Sequence, residues 1–197
     1  MSKQFIKATM STDIKAYHAI ACCCHLTRAN LYEIGVSDRR IEGHIHDELW
    51  KTKNVWDSYS KSFKEFITPT KEGCKFMGNK IGMKPSDFYK SQSPTHDTGL
   101  YKVYEECEYK GEWITENQWR GRMDDEIERL RGIDSYRAIE LEDSLRNRSL
   151  SCPDGGYMQD GQAYAVEILT CNYSTDQIDA KIEFCEAIGA EQEFYRI

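Results

Sequence analysis

Residues 26–53 read LTRANLYEIGVSDRRIEGHIHDELWKTK. The stretch predicts a helix, a tight turn and a second helix. Thr27 can cap a first helix carrying Leu31 and Ile34. Gly35 falls where that helix must stop, because the residue just past a helix end often takes positive φ. Ser37 can cap the second helix, in which Ile41, Ile45 and Leu49 recur every four residues along one face. Gly43 within it is a mild objection, costing ~1 kcal/mol against alanine. The first turn reads Asp38-Arg39-Arg40. Asp38 suits the positive end of the helix dipole, and the two arginines stand where a recognition helix meets base edges or phosphates. His44 and His46 follow, with Lys51 and Lys53 beyond. The alternative is a packed helical hairpin with a solvated polar face.

Working outward, residues 12–24 (TDIKAYHAIACCC) predict an earlier helix with Ile14, Tyr17, Ile20 and Ala21 on one face. After the quoted stretch the character changes. Val55, Trp56, Tyr59, Phe63, Phe66 and Ile67 favour strands, and Ser60, Lys61 and Ser62 can supply a turn. The expectation is a β-hairpin over 54–59 and 63–68; an amphipathic helix also fits the spacing of Tyr59, Phe63, Phe66 and Ile67. Thr70 can cap a fourth helix with Phe76, Met77 and Ile81. Three helices followed by a hairpin is the order of a winged helix-turn-helix. ITPTKEG after the hairpin resembles the way many winged-helix domains end. The residues expected to meet duplex DNA are Arg28, Ser37, Arg39, Arg40, His44, Lys51, Lys53, Lys61 and Lys64. A small helical domain without a DNA role is the competing expectation.

Charge divides the chain. Residues 1–92 hold 15 basic and 10 acidic side chains, whereas residues 93–197 hold 11 and 23. A basic first half can approach a polyanion; an acidic second half is repelled by one unless cations intervene. The chain has no apolar run of about 18 residues, so no membrane-spanning helix is expected. The first residues lack the apolar core of a signal peptide, and the expected location is the cytoplasm. In such a compartment most of the eight cysteines are expected to be small buried apolar residues. Cys22 and His25 have a spacing that can begin a zinc site, but no second pair is evident.

Residues 84–94 (KPSDFYKSQSP), with two prolines and three serines, mark a linker. The expected organisation is α+β: a winged helix-turn-helix over 1–83, a linker over 84–95 and a small α/β domain over 96–197. His96-Asp97 opens a helix containing Leu100, Val103 and Tyr104, with Asp97 as a simple cap. Residues 112–120 predict a short strand carrying Glu116. Residues 123–148 are highly charged and read as a solvated helical excursion or a flexible insertion. Two strands joined by Asp160-Gly161 come next, since Asp-Gly is a strong hairpin signal. A helix capped by Ser174 or Thr175 and a last strand, EFYRI, close the chain.

Helix, strand with Glu116, hairpin with Pro153-Asp154 and Glu167, then helix: this order resembles the core of the PD-(D/E)XK nuclease-like fold. The resemblance implies Asp154 and Glu167 as ligands of a divalent metal, Mg²⁺, with Glu116 and Lys181 completing the catalytic set. Phosphodiester displacement needs a hard cation on oxygen ligands. Leu169 stands where that family usually has lysine. Lys181, the one lysine in residues 111–197, is the substitute, as in members whose lysine has moved to the following helix. A domain of this fold without catalysis, serving as a scaffold or dimerisation unit, is the reading preferred here. Asp154 also fits plain turn chemistry in Pro-Asp-Gly.

The whole order resembles the replication-relaxation proteins of plasmids and integrative elements, through His96-Asp97, Glu116, Pro153-Asp154-Gly155, Glu167 and Lys181 behind a winged helix. That resemblance implies a DNA-binding accessory or regulatory protein in plasmid replication or mobilisation. Its expected partners are double-stranded DNA, a relaxase or replication protein, and a second copy in a homodimer. No cofactor is expected unless the nuclease alternative holds. A third alternative is an acidic protein-interaction module or inhibitor that mimics nucleic acid, motivated by the charge of residues 93–197.

Overall fold

The computed structural model describes residues 4–57, 61–107, 111–171 and 173–197. The chain is mixed α+β and divides into two compact units, Met1–Tyr101 and Lys102–Ile197. Among the described residues no helix is long and apolar enough to cross a membrane.

In the first unit, α1 (Ser11–Cys23), α2 (Arg28–Glu33) and α3 (Asp38–His46) precede an antiparallel hairpin, β1 (Trp50–Asp57) and β2 (Ser62–Pro69), and then α4 (Lys71–Ile81). The quoted stretch folds as its residues dictate. Thr27 caps α2 by accepting from the Asn30 amide, and Gly35 takes φ +93° in the turn. Ser37 occupies the cap of α3 without a side-chain cap bond. Gly43, the objection to a helix here, lies under the N-terminal segment: an added Cβ would come 3.1 Å from Ile6 Cδ1. The segment is held by Asp47, whose carboxylate accepts from the amides of Phe5 and Ile6.

Residues 54–68 form the hairpin rather than the amphipathic helix, with Trp50 paired to Pro69 and Asp57 to Ser62. Tyr59 and Ser60 lie outside the described residues. Leu26 adds a short third rung, exchanging both backbone hydrogen bonds with Ile67 at 3.0 and 2.7 Å. Tyr17, Leu31, Ile41, Trp50, Ile67 and Met77 are fully buried and fill the core. Residues 84–94, marked as a linker by composition, are packed: Phe88 and Tyr89 are buried, and the Tyr89 amide donates to Ala21 O at 2.7 Å. The division falls after Tyr101, within α5 (Pro94–Cys107).

In the second unit a four-stranded sheet has the order β3 (Glu112–Thr115), β4 (Gly155–Gln159), β5 (Gln162–Leu169), β6 (Glu191–Arg196). The first three strands are antiparallel; β6 runs parallel to β5 after the crossover helix α8 (Thr175–Ala187). Asp160 and Gly161 both have positive φ, the geometry of a two-residue hairpin turn. The charged stretch after β3 is helical: α6 (Glu116–Arg131) and α7 (Ser135–Asn147). Its few apolar residues explain why. Trp119, Met123 and Ile127 recur at helical spacing, and they pack with Ala138, Leu141 and Phe184. Glu116 therefore opens a helix rather than lying in a strand; Thr115 ends β3 and caps α6 by accepting from the Gln118 amide.

Gly156 marks the tightest point of this packing, since an added Cβ would meet Tyr164 O at 2.2 Å and the Trp119 ring at 2.6 Å. Gly156→Ala is expected to cost about 1–3 kcal/mol by forcing the sheet off the Trp119 ring. Chemical denaturation checks this, with Gly121→Ala as the contrast: it meets open space within α6 and is expected to stabilise by up to about 1 kcal/mol.

Candidate functional site

The nine residues expected at DNA fall into two groups. Three serve the fold. Arg28 reaches three carboxylates, Glu65 at 2.6 Å, Glu42 at 2.7 Å and Asp38 at 2.8 Å, and so joins α2, α3 and β2. Arg40 is paired with the fully buried Asp13 and also donates to Ala8 O at 2.5 Å. His44 is fully buried and stacked on Trp50, with ring centroids 4.0 Å apart. Its Nδ1 faces the Arg40 carbonyl at 2.8 Å and its Nε2 faces the Tyr17 hydroxyl at 2.8 Å. Nδ1–H therefore donates to the carbonyl, and Nε2 accepts from Tyr17. Burial, the largest influence, lowers the His44 pKa and keeps the ring neutral. The expectation that Arg40 and His44 face DNA is corrected: both turn toward α1.

The second group stays at the surface. Ser37, Arg39, Lys51, Lys53, Lys61 and Lys64 are exposed. The pairing register places Lys51, Lys53 and Lys64 on one face of the hairpin, since Val55 is opposite Lys64 and strand faces alternate. The other face carries the exposed Trp56 and Phe63, in an edge-on pair with centroids 5.2 Å apart. On α3, by contrast, the exposed residues include Asp38 and Glu42, so the helix presents mixed charge while the hairpin presents lysine.

The second unit gathers three of the four residues implied by the nuclease-like resemblance. Asp154 immediately precedes β4, and Gly155 pairs with Val166, which sets Asp154 beside Glu167. Asp154 Oδ2 accepts from the Ile168 amide at 3.0 Å, and the Asp154 amide donates to Glu167 Oε2 at 3.2 Å. Glu167 shares its strand face with Ala163 and Ala165, part of the core beneath α6 and α8. Lys181 on α8 completes the group: its Nζ lies 2.9 Å from Glu167 Oε2 and donates to Cys152 O at 2.5 Å. Tyr173 donates to Glu167 Oε1 at 2.7 Å. Asp154, Glu167 and Lys181 are all buried.

Burial and then the neighbouring Asp154 push the Glu167 carboxyl upward, with Lys181 opposing. Burial disfavours the charge on Lys181, but Glu167 and Asp154 outweigh it and raise its pKa. The two carboxylates keep the ammonium charged. Glu116 differs: it pairs with Arg120 one helical turn on, at 2.5 Å, and is partly exposed. Only its backbone meets the group, through Cys152 Sγ–H donating to Glu116 O at 3.3 Å. A cleft of about 520 Å³ opens beside Cys152, lined by Arg120, Asp124, Arg148 and Ser151 among others. Sequence reasoning missed Tyr173 and Cys152, because neither falls in a motif.

Two carboxylates are suitable hard donors for Mg²⁺, but this arrangement does not fit a bound ion. Both Glu167 oxygens already accept protein hydrogen bonds, one of them from an ammonium. Comparison with family models, with curated proteins and with solved structures finds no match.

Removing Lys181 strands a buried carboxylate. Lys181→Met is expected to cost about 3–5 kcal/mol near pH 8. The loss shrinks near pH 5, because Glu167, whose pKa is already raised, takes up a proton and no longer needs a cation. Urea denaturation at both pH values reads this, and equal losses at the two would contradict it.

Proposed function

We propose that this chain is a cytoplasmic accessory or regulatory protein of a mobile element, acting in plasmid replication or mobilisation, that binds double-stranded DNA through a winged helix-turn-helix. The observation that carries it is the lysine face of the hairpin, with Lys51 and Lys53 exposed beside a three-helix unit. A hairpin wing bearing exposed ammonium groups suits phosphate contact, which sets affinity and register without reading sequence. Arg39 is the exposed arginine of α3, the residue able to reach beyond the backbone. The order of α1, α2, α3, β1 and β2, with the Leu26 rung, supports the winged-helix reading.

The second unit supports a PD-(D/E)XK-like scaffold without catalysis. Three antiparallel strands, a crossover helix and a fourth parallel strand agree with that core. The Asp154–Glu167–Lys181 group is saturated by internal hydrogen bonds and acts as a structural knot. Such a unit would dock a relaxase or replication protein, or a second copy.

DNA binding is expected to fall steeply with salt. Lys51→Ala/Lys53→Ala lowers the magnitude of the log K against log salt slope by about two, one for each phosphate that the variant leaves without an ammonium. Arg40→Ala instead lowers thermal stability, since it strands Asp13. A duplex titration across a salt series decides. No salt-sensitive binding by wild type, or an unchanged slope in the double variant, removes the proposal.

A second reading, a metal-dependent DNA nuclease, has Lys181 on α8 in the place of the lysine absent after Glu167, and it requires an ion to displace the ammonium and the Tyr173 hydroxyl from that carboxylate. Incubating the chain with plasmid DNA and Mg²⁺ or Mn²⁺ tests it. Cleavage abolished in Asp154→Ala would establish the nuclease; no cleavage, or cleavage unchanged in that variant, removes it.

A further inference from the structure

We propose that Cys24, His25 and Asp97 form a binding site for one divalent cation of the zinc class, a site in the first unit independent of the DNA reading. One ligand atom from each residue lies within 4.8 Å of the others. His25 and Asp97 are buried, and Cys24 is half-buried. The cluster joins separate segments: Cys24 and His25 follow the end of α1, and Asp97 lies in the first turn of α5. Cys24 Sγ also lies 3.5 Å from Thr68 Oγ1 on β2.

Two features point to a cation here. First, the donors are sulfur, nitrogen and oxygen, a set suited to Zn²⁺ and too soft for Mg²⁺ or Ca²⁺. Second, the cluster is under-satisfied. Asp97 Oδ1, beside the oxygen that faces His25, is buried without a close hydrogen-bond partner. Native interiors seldom leave such atoms bare. His96 Nδ1 stands 3.5 Å from Asp97 Oδ1 and also faces the Tyr89 hydroxyl at 3.4 Å, so it is a weak partner for that oxygen.

The metal-free geometry shows what binding must change. His25 Nδ1 and Asp97 Oδ2 share a proton at 2.7 Å. Tetrahedral ligands at ~2.0 Å from zinc stand ~3.3 Å apart, so this pair opens slightly while Cys24 closes in. The cation replaces the shared proton and displaces the thiol proton of Cys24. The imidazole keeps a proton on Nε2, and at least the thiol proton leaves for each Zn²⁺ that enters. The spacing of Cys22 and His25 in the sequence pointed to this neighbourhood, but the sulfur brought to the cluster is that of Cys24.

The test uses the full chain, reduced and stripped with chelator, titrated with Co²⁺ and then competed with Zn²⁺. One equivalent of Co²⁺ is expected, with a thiolate-to-cobalt charge-transfer band that Zn²⁺ abolishes. Cys24→Ser should lose the band and Asp97→Asn should weaken Co²⁺ binding more than about tenfold, with Cys171→Ser unchanged. Circular dichroism confirms that each variant is folded. Absence of the band in wild type overturns the proposal whatever the variants do, as does a band that survives in folded Cys24→Ser. A weakly buffered titration that releases no protons on Zn²⁺ addition also overturns it.

Discussion

The cost of burying charge governs both units. A carboxylate or ammonium taken out of water must find a partner of opposite sign or shed its charge. In the second unit the rule is met at Lys181, which satisfies Glu167 and the Cys152 carbonyl at once. In the first unit Arg40 does the same for Asp13, and His44 meets the rule by staying neutral. These commitments fix where α8 sits on its sheet and where α3 sits on α1. They also withdraw side chains from function: an arginine that compensates Asp13 is not at liberty to read a base.

Local chemistry made much of the fold legible. Thr27, Thr70 and Ser174 cap helices as residues of their type do, Gly35 turns the chain, and Asp160-Gly161 joins two strands. The β-branched and aromatic residues from Val55 to Ile67, with polar residues between them to turn the chain, marked the hairpin. Glu116 failed because Thr115 is both strand end and helix cap, and a single-residue handover leaves no change of period to detect. The charged stretch of α6 and α7 showed too few apolar residues to signal its packing, although Trp119, Met123 and Ile127 are all buried in that cluster.

The candidate sites were harder to read because proximity across the chain is invisible to spacing. Asp154, Glu167 and Lys181 were named from the order of motifs, and the sheet register and α8 bring them together. Arg39 and Arg40 are adjacent and chemically identical in sequence, yet one is exposed and the other bound to Asp13, 27 residues earlier. Asp97 read as a helix cap; its partner, His25, lies 72 residues away. No composition or periodicity carries that distance.

The fork of Arg28 has a further consequence. By holding Asp38 and Glu42 on α3 and Glu65 on β2 from one guanidinium on α2, it ties the helix pair to the hairpin. Under the DNA reading proposed above, a pre-ordered surface pays little ordering entropy when it docks. The pairs in that fork face solvent, where dissolved ions weaken them. Under that same reading, ionic strength acts twice, once on the attraction to a polyanion and once on the stiffness of the surface that would meet it.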